Sequence, residues 1–256
     1  MANEIYSSSY WGNGVCDNDI GWGGVYKDLA GCTAAFNNTY SMALDGIDDY
    51  IGLGTITDLN GGVSAFSTSL WFNYSGTPST SNNMLLSGGT GVTDRLYIQL
   101  IATDTIRYTM GGGFDDVNVG TLTSGTWYNL ITVHDGADVD IYLNGTLKGS
   151  FTDQVPTSNF ATTMKIGNYI SGAYWWNGNI DEVSLFNSAK AIGDLWDGSG
   201  KPTDLTGESG LISWWRMGDE ASWDGSKWTL LDQGSGGNNA ESVNMTESDR
   251  EEDTPS

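Results

Sequence analysis

Three aromatic side chains lie close together in one short stretch of the sequence that is predicted to be a loop. Tyr169, Tyr174 and Trp175 lie in the loop before Asn177-Gly178. Flat aromatic rings exposed on a loop are surfaces on which the C–H faces of sugar rings stack. Aromatic residues are also enriched where two protein subunits meet. The three side chains are therefore candidate ligand-binding residues, with a contact between subunits as the alternative.

A carboxylate within an apolar run is the second candidate for chemistry. Asp181 lies in the predicted strand Ile180 to Phe186, and on a strand it shares one face with Val183 and Leu185. We therefore expect Asp181 to point toward the core, where a carboxylate needs hydrogen-bond donors or a cation. Calcium takes its ligands from carboxylate and carbonyl oxygens. The alternative is a carboxylate that caps a turn through backbone N–H groups.

Other reactive residue types are few. The single histidine, His134, precedes Asp135-Gly136, where we expect a surface turn residue without a role in acid–base or triad chemistry. Cys16 and Cys32 form no C-x-x-C pair or Cys/His cluster, so a zinc site is not expected. We expect both cysteines to be free thiols.

The charge of the chain excludes some partners. Asp and Glu number 32 against 10 Lys and Arg, which gives a net charge of -22 because basic residues are scarce. Nucleic acids and anionic lipids are bound through several Lys and Arg side chains, so neither is expected as a partner. No apolar stretch approaches the length of a membrane span, and the N-terminus lacks the pattern of a signal peptide. A cation is the partner that this charge favours, but the interpretation that we prefer is that the acidity keeps an exposed protein soluble in salt.

Short strands are the elements that must position these residues. The chain has 36 Gly and only 4 Pro, a composition that suits tight turns between strands. Alternation over 66–73 predicts a strand, and Asn144-Gly145 between two alternating runs predicts a type I′ hairpin. A strand pair is predicted at 96–100 and 105–108, and one helix at Ser188 to Trp196 with Ser188 as its N-cap. The sequence therefore predicts an all-β, two-sheet antiparallel sandwich.

Four stretches carry more specific motifs, in one order and spacing: Tyr40 to Leu53 (YSMALDGIDDYIGL), Phe66 to Phe72 (FSTSLWF), Gly125 to Gly149 (GTWYNLITVHDGADVDIYLNGTLKG) and Asn177 to Leu195 (NGNIDEVSLFNSAKAIGDL). Together they resemble the LamG-like jelly-roll domain of the concanavalin A-like lectin/glucanase superfamily. The resemblance implies a jelly-roll sandwich with Trp176 as a core aromatic. It also implies a family known for sugar binding, cell adhesion and structural roles, often with calcium, on extracellular and virion proteins.

Three regions follow from these boundaries. Residues 1–39 form an N-terminal arm that docks by its aromatic side chains, residues 40–200 the LamG-like jelly-roll domain, and residues 201–256 a C-terminal extension. Within the extension, Leu211 to Glu220 resembles the segment that usually opens such a domain. The extension either completes its own sandwich, which we favour, or is exchanged with a neighbouring copy. Its acidic end, 247–256, is expected to be mobile.

The resemblance also implies a metal set and argues against catalysis. It places the strand of Asp181 beside the Tyr40–Leu53 strand, so that Asp45 or Asp48 approaches it. The predicted structural Ca²⁺ site is therefore Asp45, Asp48 and Asp181. Hydrolases of the superfamily carry E-x-D-x-x-E on this strand, whereas Val183 to Phe186 supply no third acid. No catalytic residue is predicted.

The overall pattern also looks like virion proteins of marine bacteriophages. We therefore expect a non-enzymatic structural protein of a virion or extracellular surface, with a lectin-like jelly roll that attaches to host glycans. Its expected partners are other virion proteins, copies of itself in a homo-oligomer, and surface polysaccharide. The alternatives are a soluble carbohydrate-binding lectin module and a glycoside hydrolase of the same superfamily.

Overall fold

A computed structural model of the protein describes residues 36–61, 64–76 and 83–255. Most of the predicted arm, with Cys16 and Cys32, lies outside these residues. In chain order the strands are β1 Ser41–Asp45, β2 Tyr50–Gly54, β3 Phe66–Tyr74, β4 Asn83–Gly89, β5 Arg95–Ala102, β6 Thr105–Met110, β7 Asp115–Asn118, β8 Tyr128–His134, β9 Val139–Leu143, β10 Thr146–Phe151, β11 Met164–Ile166, β12 Asn177–Phe186, β13 Leu211–Trp215, β14 Ala221–Trp223, β15 Trp228–Leu230, β16 Ala240–Val243 and β17 Arg250–Glu251. The helical elements are α1 Ile192–Leu195 and the 3-10 turns Thr57–Leu59 and Glu247–Asp249.

Two antiparallel sheets contain all of these strands. The first sheet has the order β10-β9-β8-β3-β12-β1-β17, and β13 also pairs with β12. The second sheet has the order β14-β15-β16-β2-β11-β4-β5-β6-β7. The turn between β1 and β2 therefore crosses from one sheet to the other. The predicted all-β, two-sheet sandwich is confirmed.

The core between the sheets is built from alternate residues of their strands. Phe66 and Phe72 of β3 are fully buried, whereas Ser67 and Ser69 take the positions between them. The ring of Trp176, also fully buried, meets Phe72 edge-on with centroids 5.6 Å apart. Trp176 is thus the core aromatic that the sequence predicted.

Strand β12 contains a bulge that changes which residues face the core. The pairing with β3 shifts by one residue between Asp181 and Ser184, and Glu182 has a left-handed φ of 47°. Ile180 therefore faces the core with Val183 and Leu185, while Asp181 lies on the other face of the sheet. The expectation that Asp181 shares a face with Val183 and Leu185 was wrong, because strict alternation does not hold across a bulge.

The C-terminal residues pair with strands of the same chain in both sheets. Strand β13 joins the second half of β12, β16 joins β2, and β17 joins β1. Past β17, the Asp253 carboxylate accepts hydrogen bonds from Asn73 Nδ2 (3.3 Å) and Trp127 Nε1 (2.9 Å). The chain end that we expected to be mobile therefore packs against the outer face of the first sheet.

The local predictions had mixed outcomes. Strands β9 and β10 meet at Asn144 and Gly145, whose φ values of 47° and 70° are those of the predicted type I′ turn. The predicted helix is only the single turn α1, preceded by Ala191 rather than by a Ser188 cap. Among the described residues no helix has the length and apolar character that a membrane span requires.

His134 is not the surface turn residue that we expected. It ends β8 opposite Phe66, is fully buried, and stacks on the Phe66 ring with centroids 5.0 Å apart. Its Nε2 bonds the Gln154 carbonyl oxygen, and its Nδ1 accepts the Gly136 N–H at 3.0 Å. Burial lowers the pKa of His134, so the neutral ring is part of the core.

The β9–β10 hairpin gives a test of this packing. A Cβ on Gly145 would lie 2.3 Å from the Trp196 ring, at a φ of 70° that side chains rarely adopt. We expect Gly145→Ala to lower the free energy of unfolding by about 2–4 kcal/mol, from backbone strain together with displacement of Trp196. Urea unfolding measures the change. Gly207→Ala, at a φ of 80° with open space around the new Cβ, is the control for strain alone. Equal losses in the two variants would contradict the contact with Trp196.

Candidate functional site

The β5–β6 hairpin presents a row of polar and aromatic side chains on the outer face of the second sheet. Leu96, Ile98 and Leu100 of β5 face the core, so the residues between them face outward. Tyr97 stands opposite Thr109, and Gln99 stands opposite Arg107. Directly opposite residues in an antiparallel pair have their side chains in contact range, so these four form one continuous surface.

The loop after β11 closes one side of this surface. Asn168 is fully buried and donates from Nδ2 to the Ala173 carbonyl oxygen at 2.8 Å, while the Tyr169 N–H donates to the same oxygen at 2.9 Å. The Tyr169 ring packs edge-on against Tyr97 (centroids 4.9 Å apart) and against Tyr174 (5.3 Å). The loop therefore places both tyrosines over the β5–β6 hairpin.

Tyr174 holds a backbone conformation that is unusual for an aromatic residue. Its φ is 57°, and its carbonyl oxygen accepts the Met84 N–H of β4 at 3.0 Å. A bulky residue in the left-handed region is strained, and such residues cluster at ligand sites. The hydrogen bond to β4 holds the strained residue in place, and its side chain remains 36% exposed.

These side chains enclose a cavity of about 160 Å³. It is lined by Arg95, Tyr97, Gln99, Arg107, Thr109, Phe114, Tyr169 and Tyr174. Tyr97, Gln99 and Thr109 are buried, whereas Phe114 is 58% exposed. The cavity thus has a polar, buried floor and aromatic rings at its opening, and we call it the arginine–tyrosine pocket.

The two arginines of the pocket are held in different ways. Arg107 makes a paired salt bridge with Asp116, from Nε at 2.6 Å and from Nη2 at 2.8 Å, and its guanidinium lies over the Phe114 ring. Asp116 raises the pKa of Arg107. Arg95 donates Nε to the Gly111 carbonyl oxygen at 2.9 Å, and its guanidinium carbon lies 5.0 Å from the Tyr97 ring centre.

The Tyr97 hydroxyl is a buried polar group that interacts electrostatically with Tyr169 and Arg95. Tyr97 is 3% exposed, and its buried hydroxyl oxygen has no hydrogen-bond partner among the described residues. Burial raises the pKa of Tyr97, so the phenol is neutral and offers a donor. A buried polar group of this kind needs a partner, and a ligand in the pocket would supply one.

Two of the three predicted ligand-binding residues meet in this pocket, and the third does not. Tyr169 and Tyr174 line it, whereas Trp175 lies beside Tyr50 with ring centroids 6.1 Å apart. Six lining residues were not among the predicted ones: Arg95, Tyr97, Gln99, Arg107, Thr109 and Phe114. Five of them could have been predicted from the alternation of R-L-Y-I-Q-L and T-I-R-Y-T, which places polar and aromatic residues on one face of both strands.

The predicted metal set is divided between two places. Asp45, Asp48 and Asp49 have carboxylate oxygens within 4.8 Å of one another in the turn that crosses between the sheets. Asp181 is elsewhere. Because Asp45 pairs with Asn177 and the strands are antiparallel, Asp181 lies about 13 Å further along β12. The third carboxylate of the cluster is therefore that of Asp49, whereas we predicted Asp181.

The Asp45–Asp49 cluster already makes turn-capping hydrogen bonds. Asp45 Oδ1 accepts the N–H groups of Ile47 (2.7 Å) and Asp48 (3.2 Å), and Asp49 Oδ2 accepts the Asp45 N–H at 3.2 Å. Burial, with added repulsion from Asp45, raises the pKa of Asp49 to about 6. These oxygens are of the kind that calcium prefers, and the second carboxylate oxygens leave capacity for it.

Asp181 instead accepts hydrogen bonds from neutral protein groups at the β12 bulge. Its Oδ2 accepts Asn38 Nδ2 at 2.8 Å, and its Oδ1 accepts the Glu182 N–H at 2.8 Å. Glu182 accepts Trp214 Nε1 at 2.5 Å and Arg216 Nε at 3.2 Å. Burial raises the pKa of Asp181 well above its usual range and that of Glu182 to about 7.

Comparisons with known proteins agree with this architecture. A family model described as the concanavalin A-like lectin/glucanases superfamily matches residues 45–191, more than half of the chain. A search of curated proteins found no match. A candidate carbohydrate-binding protein from Bacteroides ovatus superposes with a TM-score of 0.64 at 17% identity, covering 84% of this chain. The chain spans 60% of the length of that protein.

Two further similar structures cover less of the chain. One is CBM40 of an IT-sialidase from Ruminococcus gnavus bound to α2,3-sialyllactose, with a TM-score of 0.46 and 13% identity over 60% of this chain and 94% of that chain. The other is domain 4 of a GH43 extracellular arabinanase from Geobacillus stearothermophilus in complex with arabinotriose, with a TM-score of 0.47 and 21% identity over 60% of this chain and 73% of that chain. At these identities the likeness concerns the fold alone.

The acids at the bulge predict a pH dependence of stability. A carboxyl whose pKa is raised in the folded state stabilises the fold below its ordinary pKa, and this contribution is lost as pH rises through the folded value. For Glu182 that window runs from about 4.5 to about 7. We expect the free energy of unfolding to fall from pH 5 to pH 8, by up to about 1.4 kcal/mol per pH unit for each proton.

Asp181→Asn tests the contribution of one of these acids. The amide carries no charge and does not titrate, so we expect the fall between pH 5 and pH 8 to be smaller than in the unmodified chain. The side-chain amide of Asn38 can rotate so that its Oδ1 accepts a hydrogen bond from the new amide at position 181. This Oδ1 is buried without a hydrogen-bond partner among the described residues. Urea unfolding at pH 5, 6, 7 and 8 measures the change, with the exposed Asp58→Asn as control. A pH profile identical to that of the unmodified chain would refute a buried titrating Asp181.

Proposed function

The chain belongs to the concanavalin A-like lectin/glucanases superfamily, and we propose that it is a non-enzymatic, lectin-like module that binds carbohydrate in the arginine–tyrosine pocket. The observation that carries this proposal is the pocket itself, with hydrogen-bonding side chains on its floor and aromatic rings at its opening. Lectins and carbohydrate-binding domains combine these two kinds of group, because hydroxyl groups form hydrogen bonds and sugar faces stack on rings. The description of the Bacteroides ovatus protein as carbohydrate-binding supports the same function.

The chemistry of the pocket favours binding over hydrolysis. Glycosidases place two carboxyl groups across the scissile bond, and the eight residues that line the pocket include no carboxylate. The acids of β12 are buried beneath other groups, since Glu182 is held by Trp214 and Arg216. A glycoside hydrolase is therefore the weaker alternative.

We also propose a setting for this activity, on a virion or extracellular surface. The support is the resemblance of the sequence pattern to phage virion proteins and the aromatic N-terminal segment with Trp11 and Trp22. In that setting the pocket attaches the particle to host glycans, and copies of the chain or other virion proteins are its partners. The soluble lectin module is the alternative, and it shares the same pocket.

Calcium is the cofactor that we propose, at Asp45, Asp48 and Asp49. The fit rests on three carboxylates brought together and on an Asp49 carboxyl whose pKa is raised by burial and by its acidic neighbours. A divalent ion there would remove this repulsion. It would also fix the turn that joins the two sheets, which is a structural role.

Glycan binding is tested directly on an array and then with variants of the pocket. We expect Tyr174→Ala and Phe114→Ala each to weaken binding of an identified glycan at least about tenfold, since each removes a ring at the opening. Trp175→Ala is the matched control, because it truncates the adjacent aromatic residue outside the pocket. Isothermal titration calorimetry measures the affinities. A blank array for the intact chain, with and without calcium, would overturn the proposal, and so would an equal loss in Trp175→Ala.

The calcium site is tested by melting temperature. We expect Ca²⁺ to raise the melting temperature relative to a chelator, by about 2–4 °C for each kcal/mol of binding energy, with little effect of Mg²⁺. Asp48→Asn should remove the response, whereas Asp58→Asn should keep it. Native mass spectrometry of the same samples reports the oligomeric state. Equal melting with calcium and chelator would contradict the site, and a monomer in both would contradict the homo-oligomer.

A further inference from the structure

The charge of the arginine–tyrosine pocket is the opposite of that of the rest of the chain. The sequence contains 32 acidic residues and only 10 Lys and Arg, of which four are arginines. Two of those four arginines, Arg95 and Arg107, line the pocket, and no acidic residue does. Asp116 pairs with Arg107, so the net positive charge of the lining comes from Arg95, and a neutral ligand does not require that charge.

The acidic residues nearest to the pocket in sequence all have hydrogen-bond or salt-bridge partners within the protein. Asp94 accepts Asn159 Nδ2 at 3.0 Å, and Asp115 accepts Gln154 Nε2 at 2.8 Å. Asp116 is paired with Arg107. Their carboxylates are therefore satisfied by protein groups, and none of them lines the cavity.

Arg95 is the arginine that remains for a ligand. Arg107 is neutralised by the paired contact with Asp116, whereas Arg95 is held by a backbone carbonyl and an aromatic ring. Among the described residues Arg95 forms no salt bridge with an acid. A guanidinium held by neutral groups keeps its full charge and can bind a carboxylate or sulfate through its terminal nitrogens.

Neutral donors surround the same space. The Tyr97 hydroxyl is buried without a hydrogen-bond partner among the described residues, and Thr109, the residue opposite Tyr97 in the hairpin, adds a second hydroxyl to the lining. Gln99 follows on the same face of β5 and adds an amide donor. An oxyanion placed against Arg95 would thus meet hydroxyl donors as well as a positive charge, as charge-assisted hydrogen bonds require.

We propose that the ligand of this pocket is an anionic saccharide, in which one carboxylate or sulfate group binds Arg95 and the hydroxyl of Tyr97. The sugar ring that carries the group then lies against Tyr174 and Phe114 at the opening. This inference rests on the proposed function, since it names the class of carbohydrate that the same pocket takes.

Matched pairs of oligosaccharides test the inference. The probes are 3′-sialyllactose with lactose, glucuronosyl-xylotriose with xylotriose, and 6-sulfated with unsulfated N-acetyllactosamine. We expect the charged member of at least one pair to bind about tenfold or more tightly than its neutral partner. The three pairs distinguish a sialic acid, a uronic acid and a sulfate ester as the source of the charge.

Variants assign the preference to Arg95. We expect Arg95→Gln to reduce the preference for the charged member to about twofold or less, while weak binding of the neutral partner persists. Arg95→Lys should restore part of the preference, because it restores the charge without the planar guanidinium. Lys201→Gln, an exposed residue outside the pocket, removes the same charge and should leave the preference unchanged. A melting curve of each variant confirms that it is folded.

The outcomes separate this inference from the proposed function. Equal affinity for both members of every pair, or a preference that survives Arg95→Gln, would overturn the anionic ligand while leaving carbohydrate binding intact. No binding of any probe, together with a blank array, would overturn both.

Discussion

The bulge at Glu182 is the constraint around which the first sheet is organised. Strand β12 pairs with β3 along one edge and divides its other edge between β1 and β13. The extra residue at the bulge keeps apolar side chains on the core face of both halves, Ile180 before it and Leu185 after it. Without that residue, one half of the strand would present its polar side chains to the core.

The same bulge is contacted by the C-terminal segment of the chain. Two adjacent carboxyl groups are buried there, and buried acids require donors or a counter-charge. Trp214 of β13 donates a hydrogen bond to Glu182. Arg216, which follows β13, donates a second hydrogen bond and supplies the counter-charge. The segment that resembles a displaced opening strand thus adds the strand β13 and also compensates the charge at the bulge. A domain truncated near residue 200 would expose these acids and one edge of β12.

The two sheets differ in how their outer faces are covered, and this difference places the site. On the first sheet, Ser67, Ser69, Trp71 and Asn73 are buried on the outer face, with Trp196 against Trp71 and Asp253 bonded to Asn73. On the second sheet, the outward residues of β5 and β6 are covered by the rings of the pocket itself. Among the described residues, the outer face of β5 and β6 therefore combines a buried polar floor with an accessible opening, whereas that of β3 is covered.

Much of the fold could be predicted from local patterns, whereas the site depended on long-range geometry. Alternation identified β3 and the β5–β6 hairpin, and Asn144-Gly145 fixed a turn that its backbone angles require. The bulge could not be predicted in this way, because Glu182 adopts a positive φ although it is not a glycine. The prediction that Asp181 faces the core was therefore wrong. Tyr169 and Tyr174 were found because aromatic residues in a loop are conspicuous. Trp175 could not be separated from them, since successive side chains of an irregular loop do not alternate.

The pocket is positively charged within a chain of net charge -22, and this affects how the charges of the proposed ligand can be distributed along the glycan. Repulsion between exposed charges acts over a screening length of about 8 Å at physiological salt. The carboxylates of Asp94, next to Arg95 in the chain, and of Asp116, paired with Arg107, would therefore repel the neighbouring acids of a polymer that carries one on every unit. A chain with a single acidic unit at its end would meet the attraction of Arg95 and little of that repulsion. The pocket would thus discriminate between glycans by their charge density. It would bind chains with a single acidic unit at the end more tightly than polymers with an acid on every unit.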